Sequence, residues 1–243
     1  MDFQAPIFFE ALGSEALIQG VQLTIALTVV AFILGIAIGL VVAILRDNRL
    51  RPVRMLAWTY IWIFRAVPTL VQLLFVWNAL PQLIPALKGQ WFTPFMAGTI
   101  ALSMNEAAYA AEIIRGGLLS IDEGQRVAAR ALGMSPLKVF TKVVAPQVIR
   151  VVIPSVANDF ITLLKITSLA SIISMRELMG YTQTEVASSF RFAEWYAAVS
   201  VYYLALVSIF MAGQAWLERR FVWTSRARGP RSLVSGLARM SRG

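Results

Sequence analysis

The 243-residue chain is 58% hydrophobic and only 14% charged, with a mean hydropathy of +0.69, far from the roughly one-quarter charged residues of a soluble domain. One helical membrane domain is expected, since no polar block is long enough for a second folded domain. The absence of cysteine and histidine excludes disulfides, thiolate metal sites, Cys or Ser–His nucleophiles and imidazole acid–base chemistry, and the net charge of +9 has to be judged by where the charges fall.

Residues 1–15 carry Asp2, Glu10 and Glu15 but no Lys or Arg, so the positive n-region of a cleaved signal peptide is missing. Phe3, Ile7, Phe8 and Leu12 suggest an extracytoplasmic interfacial helix, an unstructured strand being the alternative. Apolar runs at 16–45, 55–80, 92–114, 148–175 and 193–217 each approach or exceed the ~20 residues that cross a hydrocarbon core. An all-α membrane protein of about five transmembrane helices follows. In the first run Gly35 and Gly39 form a G-x-x-x-G pattern, a weak sign of close helix packing. The second carries FRAVPTLVQ, where Pro68 breaks the backbone ladder. Arg65 beside the break either turns an exposed backbone dipole toward a solute or flanks a plain proline kink.

Polar residues inside the third and fourth runs are the functional candidates, because an intramembrane charge is costly unless it faces protein or water. In the third, Asn105 and Glu106 fall near mid-span with Tyr109 one turn away, so the three can share a face. Glu112 and Arg115, three apart, are read as a local ion pair near the interface. The fourth holds Asn158, Asp159, Thr162, Lys165, Thr167 and Ser168. The i, i+4, i+7 spacing of Asn158, Thr162 and Lys165 predicts one wet stripe, with interhelical hydrogen bonding as the alternative for the hydroxyls.

Arg46, Arg49, Arg51 and Arg54 follow the first run, Arg126, Arg130, Lys138 and Lys142 follow the third, and seven Arg follow the fifth, whereas the other connections hold only Lys88, Arg176 and Arg191. This alternation is the positive-inside pattern and explains the basic charge without nucleic acid. It places the N-terminus outside and the C-terminus inside. The resulting map is an extracytoplasmic segment at 1–15, a transmembrane domain at 16–221 and a basic cytoplasmic tail at 222–243, read as disordered and associated with the lipid surface.

Between the third and fourth runs lies the most informative segment, GQRVAARALGMSPLKVFTKVVAP at 124–146. Small alanines, then Gly133, then Pro136 describe a short close-packing helix, a glycine stop and a turn. No G-x-x-x-x-G-K-[ST] occurs, so ATP hydrolysis would belong to another chain.

This segment resembles the EAA loop of ABC importer permeases, whose pattern is E-A-A, three residues, G, nine residues, then I-x-L-P. Here Val127, Ala128 and Ala129 precede Gly133 by that spacing, and Val143, Val144, Ala145 and Pro146 complete it. FRAVP at 64–68, AYAAEIIRGG at 108–117, GQ at 124–125, LGMS at 132–135, PQ at 146–147 and KITSL at 165–169 are similar to the polar amino acid uptake subfamily. The resemblance implies a non-enzymatic permease in the bacterial inner membrane that pairs with a second permease, the same or similar. It also implies two ATPase subunits that hold ATP and Mg, an extracytoplasmic solute-binding protein, and no cofactor in this chain. The coupling helix would run over 122–132, in a loop at about 120–147, with Glu123, Gly124, Gln125, Ala128, Ala129, Arg130, Gly133 and Pro146 as coupling residues. The substrate pathway would use Arg65, Asn105, Glu106, Tyr109, Asn158, Thr162, Lys165 and Ser168. Two departures, Val127 for the motif's Glu and Ile166 for the acid of K-D-T-S-L, tilt the expectation toward a heterodimer. The alternatives are a permease for another small polar solute, an intramembrane enzyme built on Glu106 and Asp159, and a membrane scaffold or channel.

Overall fold

A computed structural model describes residues 3–221, and among the described residues there is no strand. The helices are α1 (Ala5–Leu12), α2 (Glu15–Arg46), α3 (Arg51–Ala66), α4 (Thr69–Leu83), α5 (Pro94–Leu119), α6 (Glu123–Ala131), α7 (Pro136–Ile173), α8 (Leu178–Ser189) and α9 (Phe192–Phe221). A 3-10 turn, Pro85–Lys88, lies between α4 and α5. The expected tail at 222–243 lies outside the described residues.

Local chemistry fixes the ends of the long helices. Ser14 Oγ accepts from Leu17 N at the start of α2, and Glu15 in its first turn and Arg46 in its last oppose the helix dipole. Thr93 Oγ1 accepts from Met96 N ahead of α5, which begins at Pro94 where no N–H is required. At ~1.5 Å per residue, α2 and α5, with 32 and 26 residues, both exceed the ~30 Å of a bilayer core.

Three helices are long and apolar enough to span a membrane, α2, α7 and α9, and α3 with α4 makes a fourth if the pair, bent by 105°, is one span. The third expected span, α5, is long enough but too polar for the same measure. Its position explains how it is tolerated. Ala97, Ala101, Ala107, Ala108, Ala110 and Ala111 are all fully buried, so protein rather than lipid surrounds much of its length. The G-x-x-x-G of α2 is used within the chain for this purpose. A Cβ on Gly39 would lie 2.7 Å from the Cβ of Ala110, so the two helices approach along a face of small residues.

Three differences from the sequence reading have local causes. Helix α7 starts at Pro136, where the sequence placed loop, because a proline in the first turn costs nothing; one π turn, Phe140–Val144, carries the helix on into the apolar run. Helix α8 fills the connection between the last two spans, capped by Glu177, whose carboxylate accepts from Met179 N and Gly180 N. Helix α1 forms within the expected interfacial segment and, beyond what the sequence showed, is docked on the bundle. Its Ala11 is fully buried, Tyr202 OH donates to Leu12 O at 2.6 Å, and Gln4 N donates to Glu194 Oε1 at 3.0 Å, all against α9.

Candidate functional site

Pro68 has no N–H to donate, and the chain turns there between α3 and α4. Two side-chain amides occupy the gap. Gln72 Nε2 donates to Phe64 O at 2.9 Å and Val67 O at 2.8 Å. Asn105 Nδ2 donates to Phe64 O at 3.0 Å and to Gln72 Oε1 at 3.2 Å. The break is therefore a built corner, with its freed carbonyls satisfied. Asn105 sits within this corner, 5% exposed, and does not face an open path. Gln72 escaped the sequence reading, although an amide four residues after a mid-span proline was the available signal.

Glu106 points elsewhere, although it is the next residue. It lies between α2 and α7, 3% exposed, and its carboxyl meets that of Asp159. Glu106 Oε1 and Asp159 Oδ2 are both buried and have no hydrogen-bond partner among the described residues. The enzyme alternative asked for this pairing; Glu106 is 3% exposed and Asp159 half-buried.

Tyr109 faces a third way. It is 38% exposed, with the Arg65 guanidinium 5.4 Å from its ring centroid. Arg65 Nη1 is also 3.7 Å from Glu112 Oε2, and Arg115 holds the same carboxylate at 3.2 and 3.3 Å. The expected Glu112–Arg115 pair is thus a triad with Arg65. The expected face of Asn105, Glu106 and Tyr109 is divided among three surroundings, because α5 is covered on several sides at once.

On α7 the stripe is present. Asn158 and Lys165 are exposed, Thr162 and Ser168 half-buried. Thr162 Oγ1 donates to Asn158 O at 3.1 Å and Ser168 Oγ to Lys165 O at 2.8 Å. With their hydrogens bonded to their own helix, these hydroxyls present lone pairs outward. The stripe thus offers a cation and several acceptors, complementary to a zwitterion. Among the described residues, no hydrogen bond or ion pair joins it to Arg65, so the candidates form two groups.

The remaining candidates lie on α6 and its flanks. Asp122 caps the helix by accepting from Gly124 N. Glu123 lies 3.5 Å from Arg126 and 3.8 Å from Arg130, and Arg126 Nη2 donates back to Leu118 O at 3.1 Å. Ala129 is 5% exposed, packed on Val139, Val144 and Val148; it anchors the helix and is not on its free face. That face carries Gly124, Gln125, Val127, Ala128 and Arg130, all exposed, and continues into Leu132, 83% exposed. Gly133 stops the helix with φ +76, a left-handed value that glycine adopts without penalty. Pro146 lies in the first turn after the π segment of α7, about 13 residues from Gly133 along the chain, and is exposed.

Glu177 is the polar residue most conspicuously absent from the sequence reading. It is fully buried, and besides capping α8 it accepts from Tyr203 OH at 3.2 Å and Thr24 Oγ1 at 3.4 Å. It ties α2, α8 and α9 together.

The family profile described as "Binding-protein-dependent transport system inner membrane component" matches residues 35–223. The chain is 37% identical over 203 residues to the probable amino-acid permease protein YxeN of Bacillus subtilis (strain 168), covering 84% of this chain and 90% of that one. It is 36% identical over 216 residues to the octopine transport system permease protein OccM of Rhizobium radiobacter, covering 84% and 88%. Among solved structures it is similar to a chain from the "crystal structure of an amino acid ABC transporter with histidines", with 33% identity and a TM-score of 0.79 over 90% of this chain and 99% of that one.

Proposed function

The chain belongs to the family of binding-protein-dependent transport system inner membrane components, and from that premise we propose that it is a permease half that carries a polar amino acid by alternating access. It is a multi-pass inner-membrane transport component and not an enzyme; ATP hydrolysis belongs to a separate subunit, and ATP-binding subunits and a solute-binding protein are its partners. The finer assignments proposed are two ATPases holding ATP and Mg, a second permease of the same or similar sequence, and an orientation with the α6 end in the cytoplasm and the α8 end outside. The clustering of Arg46, Arg49, Arg51, Arg54, Arg126 and Arg130 at the α6 end supports that orientation.

The observation that carries the reading is α6. It is held to the bundle by Ala129 and Arg126 only on one side, while Val127, Leu132 and the nearby Leu137 are 56%, 83% and 72% exposed. An apolar knob of this kind outside the membrane domain suits a protein cleft, and the ATPase is the partner proposed for it. Closure of the ATPase dimer on ATP would then favour one arrangement of the spans by its greater affinity for that arrangement. The solute path uses the exposed Asn158 and Lys165 with the half-buried Thr162 and Ser168 on α7, and Arg65 with Tyr109 at the corner. Amino acid as the solute class is supported by the names of the similar permeases and by the cation and acceptors of the stripe.

Co-purification tests this. The tagged chain, produced with the whole transporter, is expected to bring down an ATPase whose activity responds to loaded binding protein, and Leu132→Asp is expected to lose it while the permease stays folded. Full retention of the ATPase by Leu132→Asp would remove α6 from the interface. Val127, in place of the motif's Glu, supports a second permease that keeps the acid. A purified complex holding only this permease and ATPases would sink the heterodimer.

A further inference from the structure

The polar line on α7 runs beyond the residues its sequence spacing reveals. Over Thr167–Ile173 the helix tightens to 3-10 geometry, where side chains three apart eclipse instead of drifting around the axis. Ser168 and Ser171 therefore keep one line; Lys165 precedes them by three residues and Ser174 follows at the helix end, and Asn158 and Thr162 continue the line at α-helical spacing. With rises of ~1.5 and ~2.0 Å per residue, Asn158 to Ser174 covers about 28 Å, close to the thickness of a hydrocarbon core.

At the α8 end this line meets a cavity of about 450 Å³ lined by Ser171, Ser174, Arg176, Gln183 and Thr184, among others. Ser174 adopts a left-handed conformation, φ 62, an uncommon geometry for a residue with a side chain. It ends the helix and turns the chain so that Arg176 reaches the cavity wall. Arg176 is exposed and makes no hydrogen bond or ion pair among the described residues. Arg191, at the same end, is by contrast 3.8 Å from Glu194. No carboxylate lines the cavity; the nearby Glu177 is fully buried, with its oxygens turned to Thr24, Tyr203 and the start of α8. Thr184 Oγ1 donates to Gly180 O at 3.0 Å, leaving its lone pairs for a ligand. One uncompensated guanidinium among hydroxyls and an amide is a setting for a carboxylate with polar groups beside it.

We infer that this cavity is a vestibule that receives the carboxylate of the amino acid solute on Arg176 and passes it to the α7 stripe, where Lys165 is the next cation. The inference rests on the importer reading, which supplies the solute and the outward direction of the cavity.

The chain contains no cysteine, so Ser174→Cys places a single thiol of this chain in the vestibule. In right-side-out membranes holding the whole transporter, its modification is followed by mass with two thiol reagents, sulfonatoethyl and trimethylammonioethyl methanethiosulfonate. Removing the guanidinium with Arg176→Gln is expected to lower the anion-to-cation rate ratio about threefold, the scale of one exposed charge interaction. L-Glutamine and L-arginine are then tried as protectants, each against the amine left when its α-carboxylate is removed. At least one amino acid is expected to slow modification while its amine does not. Thr184→Cys on the opposite wall repeats both measurements if Ser174→Cys fails to fold.

A rate ratio indifferent to Arg176 overturns the anion site, and equal protection by amine and amino acid overturns carboxylate recognition. If Arg176→Gln slows uptake and excess binding protein restores it, the carboxylate belongs to a docking side chain of that protein and the vestibule is overturned. Wild-type transporter that takes up no amino acid sinks the solute assignment under the importer reading; the reagent ratio still decides whether Arg176 makes an anion pocket.

Discussion

Glu106 on α5 lies so close to Gly35 on α2 that a Cβ built on the glycine would stand 2.6 Å from the glutamate Cβ. The contact is between neighbouring helix faces, and little in it can move aside. Gly35→Ala is expected to overpack this crossing and cost about 1–3 kcal/mol. Gly213, whose added Cβ would meet nothing within 4 Å, is the control; Gly213→Ala should be neutral or stabilising by up to ~1 kcal/mol. Thermal unfolding of the purified complex in detergent compares the two, and equal midpoints would contradict the packing.

At the Pro68 corner, Gln72→Leu removes the donor to both Phe64 O and Val67 O. Asn105 still donates to Phe64 O, so the cost is that of the partly buried Val67 O left without its donor, roughly 1–3 kcal/mol. Asn105→Leu should cost less, since Gln72 still reaches Phe64 O, and the double substitution should cost less than the sum, because the two amides bond one another. A double-mutant cycle on thermal stability reads the coupling. Strict additivity would mean that the corner is not a shared network.

Gly133→Val puts a β-branched residue at φ +76, a strain of about 1–2 kcal/mol. There is space for the side chain, so the effect should be local. We expect α6 to shift on its anchor, with ATPase stimulation by loaded binding protein reduced and thermal stability of the membrane bundle little changed. Unaltered stimulation would show that the stop after α6 is not needed for coupling.

Glu106→Gln supplies an amide N–H that can donate to Asp159, so assembly should survive, with uptake changed less than in Lys165→Gln because Glu106 is buried away from the exposed groups. Lys165→Gln should reduce uptake by about tenfold, the equivalent of ~1.4 kcal/mol, because it removes the cation of the stripe without disturbing a buried contact. Initial rates in membrane vesicles measure both. Unchanged uptake of every amino acid tried in Lys165→Gln would remove the stripe from the path.

Glu177→Ala should be the most destabilising of these single substitutions outside the helix crossing. It strips the cap from α8, worth ~1 kcal/mol, and leaves Thr24 and Tyr203 without an acceptor where α2 and α9 meet. Glu177→Gln keeps one acceptor oxygen and should recover part of the loss. Matching thermal midpoints for wild type and Glu177→Ala would show that the network contributes nothing.

The helices themselves were legible because lipid permits few alternatives: five long apolar runs had to be helical, and the start of α2 was placed to one residue. The short helix between the third and fourth runs was equally legible, with Asp122, Gly133 and the spacing between them marking α6. The stripe on α7 was visible through its spacing as far as Lys165. Beyond that point an α-helical period no longer applies, which hid Ser171 and Ser174. Helix α8 was missed because its sequence is neither apolar enough for a span nor patterned for a surface helix; its cap, Glu177, bonds to Thr24, 153 residues away in the chain, and to Tyr203 on α9.

Composition and periodicity by themselves determined a helical membrane protein with a polar helical segment between two spans, since the backbone must satisfy its own hydrogen bonds in lipid and a helix repeats every 3.6 residues. Which polar residues stay exposed and which hold the bundle together was decided only by tertiary structure. Asn105, Glu106 and Tyr109 are neighbours in sequence and on one helix, yet one closes a proline corner, one meets a carboxyl on α7, and one lies under Arg65. A polar side chain in the membrane takes whichever partner the packing brings within ~3 Å, and that partner comes from another helix whose position no local pattern encodes.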